Sequence, residues 1–265
     1  MSETTNANFP TVVLVHGAFA DSSSWNGVIE RLQAKDVRVI AFANPLRGIS
    51  TDSAYLAALL NEIPGPVVAV GHSYGGAVIT NAATQAKNVV GLVYVAAFAP
   101  EEGERLGEAT AASKDAVLSS ALVPHHYPAA NGGEPAVEFS IDPEKLHDVF
   151  AADLPAADAA VIGVTQRPVA ELAFSEPSGR PAWKDSPSWA VVATPDKAAG
   201  TDLVRSMAER AGATITEVEG SHVIMVSQPE AVAEVILTAA ALEMQGGTTL
   251  RERPALQQRA MPGRI

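Results

Sequence analysis

The chain has 265 residues, 47% of them hydrophobic, enough to bury about three-quarters of the surface that the unfolded chain exposes. Its 18 Lys and Arg against 30 Asp and Glu give a formal charge of −12 and a pI near 4.9, which repels phosphate backbones and argues against nucleic acid as a partner. With no cysteine, the chain can hold neither a disulfide framework, a thiolate nucleophile nor a thiolate metal site.

The opening MSETTNANFP lacks the basic start and apolar stretch of a secretory signal, and no apolar run approaches the ~20 residues that span a bilayer. A soluble cytoplasmic protein with no membrane span is expected. The run TVVLV from Thr11 then ends at His16-Gly17. Behind the capping-type residues DSSS follow Trp25, Val28, Ile29 and Leu32 at i, i+3, i+4, i+7 spacing, so a strand leads into an amphipathic helix. VRVIAF (37–42) reads as a second strand, and STDSAYLAALLNEI as a helix with Leu56, Leu59, Leu60 and Ile63 on one face.

The alternation continues with the strand VVAV (67–70), a helix beginning near Ser73 and the strand VVGLVYVAA (89–97). It resumes with SWAVVAT (188–194), a helix carrying Val204, Met207, Ala208 and Ala211, the strand TITEVE (214–219) and a last helix with Val232, Val235, Ile236 and Ala239. Apolar strands separated by helices predict an α/β protein with a doubly wound, mostly parallel sheet of about six strands. Residues 100–187 break this rhythm, yet clusters such as DVFAADLPAADAAVIGV (148–164) predict short helices. Since a structureless loop of that length is improbable, the segment reads as a helical cap inserted after the fourth strand. The expected organisation is a core at 1–99 and 188–244, a cap at 100–187, and a basic tail at 245–265. The tail has four arginines and one glutamate, and is expected to be flexible, folded back on the acidic body or packed across a dimer.

In a parallel sheet, the loops after the strands converge on one edge, where ligands bind. Gly71-His72-Ser73-Tyr74-Gly75 matches G-x-S-x-G, the turn that holds a serine in strained geometry with its hydroxyl exposed at a helix N-terminus. A serine is a weak nucleophile alone and needs a base and an orienting acid. His222, just past the last strand, is the candidate base, and Asp196, just past the strand before it, the candidate acid. The 26 residues between them fit one crossover helix plus one strand. Glu101, Glu102 and Asp202 remain alternatives for the acid. An oxyanion hole needs two backbone N–H groups. Tyr74, after the serine, supplies one, and HGAF (16–19) is placed to supply the other from Ala18, with Phe19 as the near alternative and as a substrate contact.

Other conspicuous residues read as structural. His16 and His72 shape turns, and the adjacent His125-His126 sit in a solvated loop or the cap without the pattern of a metal site. Trp183, Trp189 and Met225 read as packing residues. Neither G-x-G-x-x-G nor G-x-x-x-x-G-K is present, which disfavours a nucleotide site.

With VLVHGAF, VGHSYGG, VYVAAFAPEEGE, VVATPD and GSHVIMVSQPEAVA in this order across about 11–235, the chain resembles the α/β-hydrolase superfamily. Within it, the likeness is to small bacterial esterases similar to plant methyl esterases. The resemblance implies a sheet lacking the first two strands of the larger fold, a helical cap and no cofactor; no metal is expected either. The implied activity is a serine hydrolase acting on small, mainly apolar carboxylic esters through an acyl-enzyme, with Ser73, His222 and Asp196 as triad. The related hydroxynitrile lyases carry threonine where Gly17 stands and lysine where Val223 stands, departures that favour an esterase. Perhydrolysis as a side reaction, and a small-ligand binding protein with an idle triad, are the alternatives. Monomer and homodimer both fit.

Overall fold

The computed structural model describes residues 9–129 and 132–251. In chain order its first half forms β1 (Thr11–Val15), α1 (Asn26–Gln33), β2 (Val39–Phe42), α2 (Ile49–Glu62), β3 (Val67–His72), α3 (Tyr74–Ala82) and β4 (Val89–Val95). The insertion that follows contains α4 (Leu106–Ala112), β5 (Leu122–Tyr127), β6 (Ala136–Ile141), α5 (Pro143–Phe150), α6 (Ala156–Thr165), β7 (Val169–Ala170) and α7 (Leu172–Ser175). The chain then returns through β8 (Ser188–Thr194), α8 (Thr201–Arg210), β9 (Thr214–Glu219), α9 (Ile224–Ser227) and α10 (Pro229–Arg251).

The six core strands form one parallel sheet in the order β2-β1-β3-β4-β8-β9. Every residue of β1 and β3 is buried. Successive side chains of a strand point to opposite faces, so both faces of the sheet centre are covered. Helices α1 and α10 pack on each other, as do α2 and α3. The edge strand β9 has four exposed and two half-buried residues and no buried one, as befits a sheet margin.

Topology creates the site. The chain winds outward from β1 to β2, then crosses back over β1 to β3, so the strand order reverses between β1 and β3, where α/β sheets bind ligands. The register pairs Val15 with Gly71, which sets the loop after β1 beside the turn after β3.

Two sequence expectations change. The insertion is not purely helical: β5, β6 and β7 form an antiparallel three-stranded sheet alongside its helices. β5, which carries Pro124, and β6 are half-exposed, and β7 has only two residues, so no buried apolar run marks them. His125 and His126 lie on β5, within the segment expected to form the cap, with His125 Nε2 2.8 Å from Ser140 Oγ. Of the expected basic tail, 245–251 belongs to α10 and the remainder lies outside the described residues. Among the described residues, no helix is long and apolar enough to cross a membrane.

Candidate active site

The turn between β3 and α3 holds Ser73 at φ 51° and ψ −122°, a conformation unusual for a residue with a side chain and costing of order 1–3 kcal/mol. Close packing enforces it. A Cβ on Gly75 would stand 2.4 Å from the Val15 carbonyl oxygen, and one on Gly71 would stand 2.5 Å from the Gly75 carbonyl, so β1, β3 and α3 approach only through glycine.

His222, in the loop after β9, faces that serine. Ser73 Oγ donates to His222 Nε2 at 2.8 Å, and His222 Nδ1–H donates to Asp196 Oδ2 at 2.7 Å. The polarity follows from the carboxylate, which accepts only, so the proton of the neutral imidazole sits on Nδ1 and leaves Nε2 free to accept. The other oxygen, Asp196 Oδ1, accepts the amides of Ala198 and Ala199 at 2.9 and 3.0 Å. Asp196 is fully buried and His222 nearly so, while Ser73 keeps 6% exposure at a cavity floor.

The alternative acids are elsewhere. Glu101 pairs with Lys184 at 2.6 Å, Glu102 is exposed, and Asp202 accepts the Lys114 amide at 2.9 Å. Trp183, Trp189 and Met225 are buried, and none lines the cavity above Ser73.

Two buried histidines brace the site. His16 Nδ1–H donates to the Gly17 carbonyl at 2.9 Å, and its Nε2 accepts the Asn44 amide at 3.0 Å. Burial pulls the His16 pKa down to about 4, which keeps the ring neutral for these two roles. His72 Nε2–H donates to the His222 carbonyl at 3.0 Å, and burial, reinforced by the neighbouring His222, holds His72 well below the usual histidine range.

These contacts orient the two amides nominated for an oxyanion hole. A peptide is planar and trans, so its N–H points opposite to its C=O. The carbonyl of the Gly17–Ala18 peptide is held by His16, which aims the Ala18 N–H the other way. The carbonyl of the Ser73–Tyr74 peptide accepts Gly76 N–H at 2.9 Å and Phe98 N–H at 3.2 Å, which likewise aims the Tyr74 N–H, one of the first-turn amides of α3 that lack an intrahelical partner.

A cavity of about 560 Å³ opens above these groups. Ser73, Ala18 and His222 line it together with Phe19, Phe98, Phe139, Phe150 and Phe174. Phe19, at φ 60°, lies edge-on to Phe150 with centroids 6.3 Å apart and stacks on Phe174 at 6.5 Å. Exposed Glu108 and Glu171 and half-buried Arg105 are among the further lining residues on the insertion side. Four of the five phenylalanines escaped sequence reasoning. They come from four separate segments, and only the packing of the insertion over the sheet edge brings them to one wall.

A family model described as the alpha/beta hydrolase family matches residues 12–235. Among solved structures, the chain is similar to polyneuridine aldehyde esterase, at 21% identity over 87% of this chain and 99% of that one, with a TM-score of 0.73. It is similar to a pyrethroid hydrolase from Sphingobium faniae at 21% identity over 88% and 97%, with a TM-score of 0.70. An extracellular alpha/beta-hydrolase from a Paenibacillus species is 19% identical over 87% and 98%, with a TM-score of 0.70. At such identities the likeness speaks for the fold. No curated protein sequence matches the chain.

Proposed function

Because the chain belongs to the alpha/beta hydrolase family, we propose that it hydrolyses small, mainly apolar carboxylic esters through an acyl-enzyme. The observation that carries this reading is the hydrogen-bonded line from Ser73 through His222 to Asp196 at the floor of a phenylalanine-lined cavity.

Ser73 Oγ attacks the ester carbonyl while His222 Nε2 takes its proton, and Asp196 holds the imidazole in the tautomer that can do so. The Ala18 and Tyr74 N–H groups receive the oxyanion as it develops, assisted by the α3 N-terminus. His222 then returns the proton to the leaving alcohol. Water, deprotonated by His222, cleaves the acyl-enzyme and restores Ser73. Phe19 and the facing phenylalanines hold the apolar part of the ester.

Two observations favour hydrolysis over carbon–carbon lysis. A side chain at Gly17 would bring its Cβ 2.7 Å from Ser73 Cβ, and Val223 beside the base is apolar and buried, so neither position offers lyase-type polar chemistry.

The test is turnover of a short-chain aryl ester by wild type and Ser73→Ala, together with covalent labelling by a serine-directed phosphonate read by intact mass. Turnover and label are both expected in wild type, with turnover falling roughly 10⁴-fold or more and the label vanishing in the variant. Full turnover by Ser73→Ala would overturn the mechanism. Wild type that neither turns over nor takes the label would transfer the cavity to a ligand-binding role.

A further inference from the structure

The segment after β2 touches both sides of the amide pair and the insertion above it. On one side, Asn44 donates its backbone N–H to His16 Nε2 and its side-chain amide to the His16 carbonyl at 3.1 Å, bracing the ring that orients the Gly17–Ala18 peptide. On the other side, fully buried Asp52 in the first turn of α2 accepts the Tyr74 hydroxyl at 2.8 Å. The same carboxylate accepts the Arg47 amide at 3.0 Å. Burial and the Asp52 charge push the Tyr74 hydroxyl well above its ordinary range, so Tyr74 is the donor.

The insertion grips this segment at several points. Arg167 donates to the Asn44 carbonyl at 3.0 Å, and the Ala170 amide donates to the Leu46 carbonyl at 2.9 Å. The Arg47 guanidinium pairs with Glu138 at 2.6 Å and lies 4.9 Å over the Tyr127 ring. The Ser50 amide donates to Glu176 at 3.0 Å. A buried carboxylate without a cationic side chain on it is costly to keep, and here it ties the residue after the nucleophile to a loop that the insertion holds.

We propose that Asp52 is a positioning residue for the Tyr74 amide, and that residues 44–52 make the aim of both oxyanion amides depend on how the insertion is seated. The proposal rests on the esterase reading above. It implies that an insertion displaced from Arg47 leaves the nucleophile and base in place while the oxyanion pair loses alignment. Substrate binding would change little, and stabilisation of the tetrahedral state would suffer.

The test compares an aryl ester with its thionoester, in which sulfur replaces the carbonyl oxygen. Amide donors aimed at an oxyanion favour oxygen over the larger, weaker acceptor sulfur, so the ester-to-thionoester rate ratio reports their aim. A loss of folded enzyme lowers both rates equally. Removing an oxyanion donor costs about 10²–10³ in kcat, so misaiming one by Tyr74→Phe or Asp52→Ala is expected to lower ester kcat roughly tenfold, with KM within about twofold and a ratio at least about threefold smaller. Asp52→Asn, which keeps an acceptor for the hydroxyl, recovers part of the ratio. Arg47→Gln, acting from the insertion side, shrinks it about twofold. An unchanged ratio in both Tyr74→Phe and Arg47→Gln, with wild type active, overturns the inference alone. Wild type inert toward both esters overturns the esterase reading and this inference with it.

Discussion

The sheet edge and the insertion above it share one cavity and are built by opposite rules. At the edge, β1 and β3 are buried throughout, and the glycines stand where an added Cβ would meet backbone at 2.4–2.5 Å. In the insertion, β5 and β6 are half-exposed, and Gly132 and Gly133 have nothing within 4 Å of an added Cβ. Apolar packing on both faces gives the reacting groups one arrangement. The insertion combines half-exposed strands with buried anchors such as Leu106, Leu146 and Phe150, and hydrogen bonds and an ion pair tie it to the segment after β2. On the proposed esterase reading, the first region carries the reacting groups, while the second lines the cavity and reaches those groups through residues 44–52.

The sharpest way to break this contrast is Gly75→Ala. The neighbour is backbone, which cannot swing aside, so a loss of about 4 kcal/mol in unfolding free energy or failure to accumulate folded protein is expected. Denaturant titration measures it, and a loss under 1 kcal/mol would show that the edge tolerates adjustment.

Acid reaches the edge next. The folded pKa of His16 lies near 4 against 6.5 for a free histidine, so the unfolded chain binds more protons between those values and stability rises with pH there. The contribution of His16 is complete above pH 6.5 and is lost as pH falls toward 4, about 3 kcal/mol in all. His72, shifted the same way, adds to the loss. Unfolding midpoints at pH 7.5 and 4.5 test this, with His16→Asn expected to flatten the acid limb.

On the insertion side, Phe139→Ala should raise KM roughly tenfold for esters that fill the cavity while leaving kcat for short ones nearly unchanged. A comparable fall in kcat for both would give the Phe139 side chain itself a share in the chemistry. The smallest effect belongs to Gly133→Ala, expected within about 0.5 kcal/mol of wild type in stability because open space surrounds it.

The same contrast explains what could be read from the sequence. TVVLV and SWAVVAT are strands at the residues expected of them, because buried strands declare themselves by apolar runs and by the turns that end them, and the edge strand TITEVE is marked by its β-branched residues. β3 runs two residues beyond VVAV, since Gly71 and His72 still pair with Tyr94 and Val95. Ser73, Asp196 and His222 could be nominated from their places after strand ends, and the structure brings them within hydrogen-bond distance. β5 and β6 carried no such signal, their residues being half in water and interrupted by Pro124. The Asp52–Tyr74 contact was equally silent, because it joins two helices whose pairing no local pattern encodes. Nor does any spacing foretell a wall assembled from Phe98, Phe139, Phe150 and Phe174.

Each of the two amide-bearing peptides beside Ser73 behaves as a small stiff plate gripped along its rear edge, by His16 in one case and by the Gly76 and Phe98 amides in the other. The front edge, which a reacting carbonyl would meet, has no freedom that the rear does not grant. On the esterase reading, an inventory of everything a bound ester touches would therefore omit groups that set how well it is received. Selection for altered reactivity in this scaffold should recover changes behind the plates, at enclosed positions that no substrate atom visits.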